Sequence, residues 1–110
     1  MILLIDDTRN FKVPRGETIA RSSTEAIAIL SENDHFEEIW FDCILAGHDQ
    51  IIPVLAHLLN TYKEGTMPTI SRALIHTSTD DGAMLIDTYL KRIKIETVIR
   101  VNAREYMDEY

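Results

Sequence analysis

"LLIDDTRN", residues 3 to 10, runs from three aliphatic residues into two adjacent acids and an arginine. The apolar run "MILLI" that contains its first residues is short and predicts a buried strand rather than a helix. Adjacent carboxylates repel each other, so Asp6 and Asp7 cost stability unless a cation, a proton or Arg9 compensates them. We therefore interpret the end of this strand as the first sign of a functional site.

Two further apolar runs end in polar residues in the same way. The run "IWF" ends at Asp42, and "SRALI" ends in His76, Thr77 and Ser78. A brief strand around residues 18–20 and a final strand, "ETVIRV", bring the number of predicted strands to five.

Helical segments of about 10–15 residues separate most of these strands. The first is predicted from about Thr24 to Glu32, where Ser22 and Glu25 stand in capping-box spacing. The second lies in "HDQIIPVLAHLLNTY", with Asp49 as its predicted cap, and the third lies in "DGAMLIDTYLKRI". A short acidic helix is predicted in the terminal "NAREYMDEY".

The segment "TRNFKVPRGE" follows the first strand and contains Pro14 and Gly16. It lacks helical periodicity, so we expect a loop where a first helix would stand. Alternating strands and helices indicate a parallel sheet covered on both faces. The sequence therefore predicts an α/β fold with a doubly wound, parallel five-stranded sheet, in a single domain over residues 1–110.

Composition and charge limit the classes of partner. The chain is 45% hydrophobic and 26% charged, which is ordinary for a globular domain. No apolar run approaches the roughly 20 residues that span a bilayer, and the first residues lack the pattern of a signal peptide. Cys43 is the single cysteine, so the chain forms no internal disulfide, which agrees with a reducing compartment. We expect a cytoplasmic protein with no membrane partner. The net charge of -7 disfavours duplex nucleic acid but allows a small phosphorylated ligand, because a bound divalent cation reverses the local charge.

Ligands of doubly wound sheets bind at the carboxyl ends of the strands, where the polar residues stand here. Carboxylates at neighbouring strand ends suit a hard divalent cation such as Mg²⁺. Each residue also has a structural interpretation. Asp6 and Asp7 would cap a turn, His76 would be a satisfied histidine at the edge of the core, and Cys43 would be a small core residue. The hydroxyl residues from Thr77 to Thr79 would cap the next helix.

At these positions the chain resembles a response-regulator receiver domain, which implies a flavodoxin-like fold. In that family an acid pair holds Mg²⁺, an aspartate after the third strand accepts a phosphoryl group, and a hydroxyl residue after the fourth strand signals its arrival. By resemblance these roles belong to Asp6 and Asp7, Asp42 and Thr77. A receiver also has a lysine at the end of its last strand, where "VIRVNARE" offers Asn102.

A closer resemblance covers most of the chain and is to the cyclic-phosphate processing receiver domain. Its members show an acid pair with a spaced arginine, matched by "DDTR", and a glutamate-alanine helix start, matched by "TEAIAIL". They also show a histidine and a hydroxyl residue after the fourth strand with a glycine-alanine pair beyond, matched by "IHTSTDDGA". Their third-strand motif carries a histidine and a second acid where this chain has Cys43 and Ile44, and their fourth-strand motif has an asparagine near Thr79 or Asp80.

This resemblance implies metal-dependent hydrolysis of a cyclic phosphate, or of a phosphorylated nucleotide or RNA end. It implies that the metal is Mg²⁺ or Mn²⁺ and that the chain is a phosphoesterase. The implied metal ligands are Asp6, Asp7 and Asp42, the implied catalytic residues are Asp42 and His76, and the implied phosphate-binding residues are Arg9, Thr77 and Ser78. The alternative is a non-catalytic receiver-like module that senses a phosphorylated ligand or contacts a protein partner.

Overall fold

The structure, a computed structural model, describes residues 1–108 and contains five strands interleaved with helices. The strands are β1 (Ile2–Ile5), β2 (Thr18–Ala20), β3 (His35–Phe41), β4 (Thr69–Ile75) and β5 (Val98–Arg100). The helices are α1 (Ser23–Glu32), α2 (Ile52–Glu64), α3 (Asp80–Arg92) and α4 (Ala103–Tyr106). Across the described residues, no helix combines the length and the apolar content that crossing a membrane requires.

All five strands form one sheet in the order β2-β1-β3-β4-β5, and every neighbouring pair is parallel. This order confirms the predicted flavodoxin-like, doubly wound arrangement. Strand β1 lies between β2 and β3, so the order in which strands are added reverses at β1. Ligands of such sheets bind outside the carboxyl ends of the strands at this reversal.

Three helices cover one face of the sheet. Strands with both faces buried are apolar throughout, and Leu3, Leu4 and Ile5 of β1 are fully buried. Alternate residues of the strands pack against the apolar sides of α1, α2 and α3. The side chains that the three helices contribute to this core are Ala26, Leu30, Val54, Leu55, Leu58, Ala83, Ile86 and Leu90.

The opposite face is covered by the loop at residues 7–17 and by the C-terminal segment. The loop confirms the prediction that no helix follows β1. Its Phe11 packs edge-on against Trp40, with ring centroids 4.9 Å apart, and the Lys12 N–H donates to the Tyr106 carbonyl at 2.8 Å. A smaller core forms here from Leu4, Phe11, Trp40, Leu74, Ala103 and Met107.

A buried acid fastens the loop to this face. Glu38 of β3 accepts hydrogen bonds from Arg15 Nη1 at 2.8 Å, Trp40 Nε1 at 2.9 Å and Arg72 Nε at 3.0 Å. Burial raises the pKa of Glu38, but these donors outweigh burial and lower that pKa to about 2. The loop is thus held by charge as well as by Phe11.

Of the caps predicted for the first two helices, that of Ser22 is confirmed and that of Asp49 is wrong. Ser22 Oγ accepts from the Glu25 N–H at 3.1 Å and caps α1, which begins at Ser23. Asp49 does not cap α2, whose N-cap position is Ile51. It accepts instead from Ser23 N at 2.7 Å and Ser23 Oγ at 2.6 Å, and so ties the loop after β3 to the start of α1.

The predicted terminal helix is shorter than its segment. The segment "NAREYMDEY" contains the four-residue α4, which Asn102 caps by accepting from the Arg104 N–H at 3.0 Å. The last two residues of that segment lie outside the described residues.

Candidate functional site

The carboxyl ends of β1, β3 and β4 lie side by side. The sheet register pairs Ile5 with Phe41 and Phe41 with Ile75, so the residues that follow them are neighbours. Those residues are Asp6, Asp42 and His76. Each offers one ligand atom, and these atoms lie within 4.8 Å of one another. The structure therefore brings together three of the residues that the sequence singled out.

Asp6 is fully buried, and hydrogen bonds occupy both of its carboxylate oxygens. Oδ1 accepts from the Thr8 N–H at 3.0 Å and the Arg9 N–H at 2.8 Å, so Asp6 does cap the turn that follows β1. Oδ2 accepts from Arg9 Nε at 2.9 Å and lies 3.1 Å from His76 Nε2. Burial raises the pKa of Asp6, but the donors outweigh burial and hold that pKa well below its usual range.

Arg9 joins Asp6 to Asp42. Its Nη2 donates to Asp42 Oδ2 at 3.2 Å, while its Nε holds Asp6, so one guanidinium bridges two strand ends. The other Asp42 oxygen, Oδ1, accepts from the Cys43 N–H at 2.8 Å. Burial, with a smaller contribution from Asp6, raises the pKa of Asp42 above its ordinary value. Arg9 thus supplies the compensating charge that this acid-rich strand end requires.

His76 is buried beside the acids, with 1% of its surface exposed. Because Asp6 is ionised and only accepts, the His76 Nε2–H donates to Asp6 Oδ2. Within the described residues, the buried Nδ1 has no hydrogen-bond partner. His76 is therefore a member of the acid cluster and not a histidine whose two nitrogens are satisfied by the core.

The donor chemistry of the cluster fits a hard divalent cation. Two carboxylates at neighbouring strand ends offer the oxygen ligands that Mg²⁺ and Mn²⁺ prefer. Asp7, the third predicted ligand, is half-buried and lies outside the three-residue cluster. Its role as a ligand stays a prediction.

A cavity of about 640 Å³ opens beside the cluster. Arg9 and His76 line it together with Thr77 and Ser78, which are two of the predicted phosphate-binding residues. Thr77 is buried, and its Oγ1 lies 3.4 Å from Thr79 Oγ1. The structure therefore places all three predicted phosphate-binding side chains on one cavity wall.

The other wall comes from β5 and α4, and the sequence reasoning missed its cationic residues. Arg100, Asn102 and Arg104 line the cavity, and no acidic side chain does so among the described residues. Arg100 Nη1 also pairs with Asp80 Oδ1 at 2.8 Å, and both of these side chains are well exposed. The polar run "RVNAR" at the end of the last strand could have predicted this wall. Ligands of such sheets bind at the carboxyl ends of the strands, and that rule applies to β5 as well.

The start of α3 packs closely behind Asp42. Thr79 caps this helix by accepting from the Gly82 N–H at 3.3 Å, as the structural interpretation of the hydroxyl cluster expected. A Cβ built on Gly82 would meet Thr79 Oγ1 at 2.6 Å and Cys43 Sγ at 2.9 Å. Cys43 packs against the main core, and burial, followed by the charge of Asp42, raises the pKa of its thiol. These facts support a packing role for Cys43 and not a nucleophilic one.

Comparison with known protein families assigns the chain to one of them. The family model described as "Cyclic-phosphate processing Receiver domain" matches residues 1–92. The chain belongs to this family. The matched range includes all three strand ends of the cluster and stops before β5, so Arg100, Asn102 and Arg104 lie outside it. Searches of curated proteins and of solved structures found no match.

Proposed function

We propose that this cyclic-phosphate processing receiver domain hydrolyses a cyclic phosphate, such as a nucleotide or RNA 2',3'-cyclic end, with a divalent cation. The observation that carries the proposal is the cluster of Asp6, Asp42 and His76 at the edge of an arginine-lined cavity. Carboxylates for a cation, a histidine for proton transfer and guanidinium groups for an anion are the parts that phosphoester hydrolysis needs.

Mg²⁺ or Mn²⁺ would be held by Asp6 and Asp42, with Asp7 as a further carboxylate from the same turn. When bound, such a cation polarises phosphoryl oxygens and activates water. Arg9, Thr77 and Ser78 would hold the non-bridging oxygens of the phosphate, because all three line the cavity next to the cluster.

Two of the buried groups would move protons. Asp42 would accept a proton from the attacking water as the new P–O bond forms. His76, as the imidazolium with a proton on both ring nitrogens, would give its Nε2 proton to the ring oxygen that leaves phosphorus and would be left neutral with its proton on Nδ1. The product would be a phosphate monoester with a free hydroxyl. The leaving oxygen would have to replace the present contact between His76 Nε2 and Asp6 Oδ2.

The second function is a sensor that binds a phosphorylated ligand without turnover. The observation that favours it is the chemistry of the two residues after Asp42. Cys43 packs against the core, and the Ile44 side chain is 65% exposed, so neither position supplies an acid, a base or a metal ligand. A module of this kind could also act through a protein partner. For both functions, a cytoplasmic location stays a prediction from the sequence.

Phosphorus NMR tests the two functions together. Purified protein is incubated with 2',3'-cyclic mononucleotides and with RNA ending in a cyclic phosphate, in Mg²⁺, Mn²⁺ or EDTA. We expect a phosphomonoester signal that EDTA abolishes and that His76→Gln reduces at least about 100-fold. Asp34→Asn, an exposed acid before β3 at the opposite end of the sheet, is the matched control and should retain full activity.

The pattern of failure distinguishes the two functions. Saturable binding of a cyclic phosphate with no monoester product would support the sensor and contradict the hydrolase. Neither binding nor product across the panel would contradict both.

A further inference from the structure

We infer that Arg9 and a divalent cation compete for the same two carboxylate oxygens, so that cation binding moves the Arg9 guanidinium from the acids into the cavity. The inference rests on the proposed function, because it concerns the same site. It adds an order of events: the cation binds first, and the released Arg9 then binds the phosphate.

Each carboxylate has one oxygen fixed by the backbone and one held by Arg9, and His76 Nε2 also lies 3.1 Å from the Asp6 oxygen that Arg9 holds. Asp6 Oδ1 accepts from two backbone N–H groups, and Asp42 Oδ1 accepts from the Cys43 N–H. The opposite oxygens, Oδ2 of both acids, accept from Arg9 Nε and Nη2. A cation that binds between Asp6 and Asp42 needs these Oδ2 atoms, and a guanidinium cannot remain on them because like charges repel at such distances.

The backbone of Arg9 is anchored, so the side chain alone has to move. The Arg9 N–H is held by Asp6 Oδ1 at 2.8 Å, and its carbonyl accepts from Arg21 Nη1 at 2.7 Å. The guanidinium therefore pivots about a fixed Cα. Because Arg9 already lines the cavity, a change of side-chain rotamer takes it into that space without rearrangement of the loop.

An anion makes the cavity a more favourable destination for Arg9. Arg100 and Arg104 line the opposite wall, so a third guanidinium in this space is opposed by like charge until a phosphate enters. Cation and phosphate should therefore strengthen each other's binding, by the same factor in both directions as linkage requires.

Titration with Mn²⁺, followed by the EPR signal of the free ion, tests the competition. Arg9→Gln should bind Mn²⁺ about tenfold more tightly than the wild type, or more, which corresponds to about 1.4 kcal/mol. Arg92→Gln is the matched control, because it removes an exposed arginine from the last turn of α3, at the end of that helix far from the two acids. Its Mn²⁺ affinity should stay within about twofold of the wild type.

A second measurement uses the unaltered protein and does not depend on the folding of a variant. The Arg9 Nε–H signal is followed by ¹H–¹⁵N NMR during addition of Mg²⁺ and then of inorganic phosphate. We expect a saturable shift with Mg²⁺ as the bond to Asp6 breaks, and a further shift with phosphate only when Mg²⁺ is present.

Equal Mn²⁺ affinity of the wild type and Arg9→Gln, or an Arg9 signal that Mg²⁺ leaves unchanged, would overturn the competition while the metal-dependent function stands. Absence of Mn²⁺ binding in both proteins at millimolar concentration would overturn the inference together with the metal-dependent function.

Discussion

At the level of single residues, the two adjacent acids after β1 have different environments. Asp6 is fully buried and accepts from two backbone groups and from Arg9, whereas Asp7 is half-buried and lies outside the acid cluster. The repulsion between the two carboxylates is thus reduced because Asp6 lies inward and binds Arg9. Asp6 therefore has a structural role in addition to any role in binding a cation.

Replacement of these two acids should affect stability very differently. Asp6→Ala leaves Arg9 Nε, the buried His76 Nε2 and the backbone N–H groups of the turn without their acceptor, so we expect it to lower the free energy of unfolding by about 3–5 kcal/mol. Asp7→Ala should change it by no more than about 0.5 kcal/mol. Urea denaturation of both variants measures the difference, and equal destabilisation would contradict the assigned environments.

Glu38 predicts a pH dependence of stability on the other face of the sheet. Its pKa in the folded state is about 2, against an ordinary value of 4.5, so its contribution is fully present above pH 4.5 and is lost as the pH falls towards 2. At neutral pH, Glu38→Gln should lower the free energy of unfolding by about 2 kcal/mol, a figure reduced for the partial exposure of Arg15 and Arg72.

Denaturation of the wild type and Glu38→Gln between pH 7 and pH 2.5 measures this contribution. The difference between the two proteins should narrow as the pH falls below 4.5. A difference that stays constant over this range would show that the ion pairs with Glu38 contribute nothing to stability.

At the level of secondary-structure elements, the first turn of α3 explains the glycine in "DGA". Gly82 lies where any Cβ would contact Cys43 and the capping hydroxyl of Thr79. Because glycine has no side chain, α3 can approach Cys43, the residue that follows Asp42. This glycine of the motif is therefore needed for packing near the site.

Gly82→Ala should destabilise the protein and disturb the site. The added methyl group forces Cys43 and Thr79 apart, which we expect to cost about 1–3 kcal/mol in the free energy of unfolding. Met84→Ala, an exposed change in the same helix, is the control and should stay within about 0.5 kcal/mol. Thermal denaturation measures both variants, and a Gly82→Ala protein as stable as the wild type would show that this contact is loose.

The sequence predicted the strand ends because Asp6, Asp42 and His76 each follow an apolar run directly. The loop after β1 was predictable from Pro14 and Gly16. The prediction for Asp49 failed because the same carboxylate can cap the helix that follows it or bind a helix distant in sequence, and only tertiary packing decides. The bond from Arg9 to Asp42, 33 positions further along the chain, likewise leaves no local pattern.

At the level of the whole molecule, net charge and local charge have opposite signs. The chain carries a net charge of -7, yet Arg9, Arg100 and Arg104 line one cavity without an acidic side chain among its described lining. A small anion can use this cavity, whereas a long polyanion would also be repelled by the net negative charge of the protein. The predicted preference for a small phosphorylated ligand over duplex nucleic acid follows from this contrast.

Duplex DNA should therefore bind very weakly. In fluorescence anisotropy with a labelled duplex of about 20 base pairs at about 150 mM salt, we expect no saturation up to about 100 µM protein. Saturable binding in the micromolar range, weakening as salt is added, would show instead that the arginine-lined wall serves as a nucleic-acid surface.

The site proposed at the strand ends is tested most directly by an amide-resolved NMR titration of Mg²⁺ into the wild type and into Asp42→Asn. We predict saturable shifts at Asp6, Asp42 and His76 in the wild type and their loss in the variant, because Asp42 supplies one of the two buried carboxylates. Identical shifts in both proteins, or none at millimolar Mg²⁺, would contradict a cation site formed by these residues.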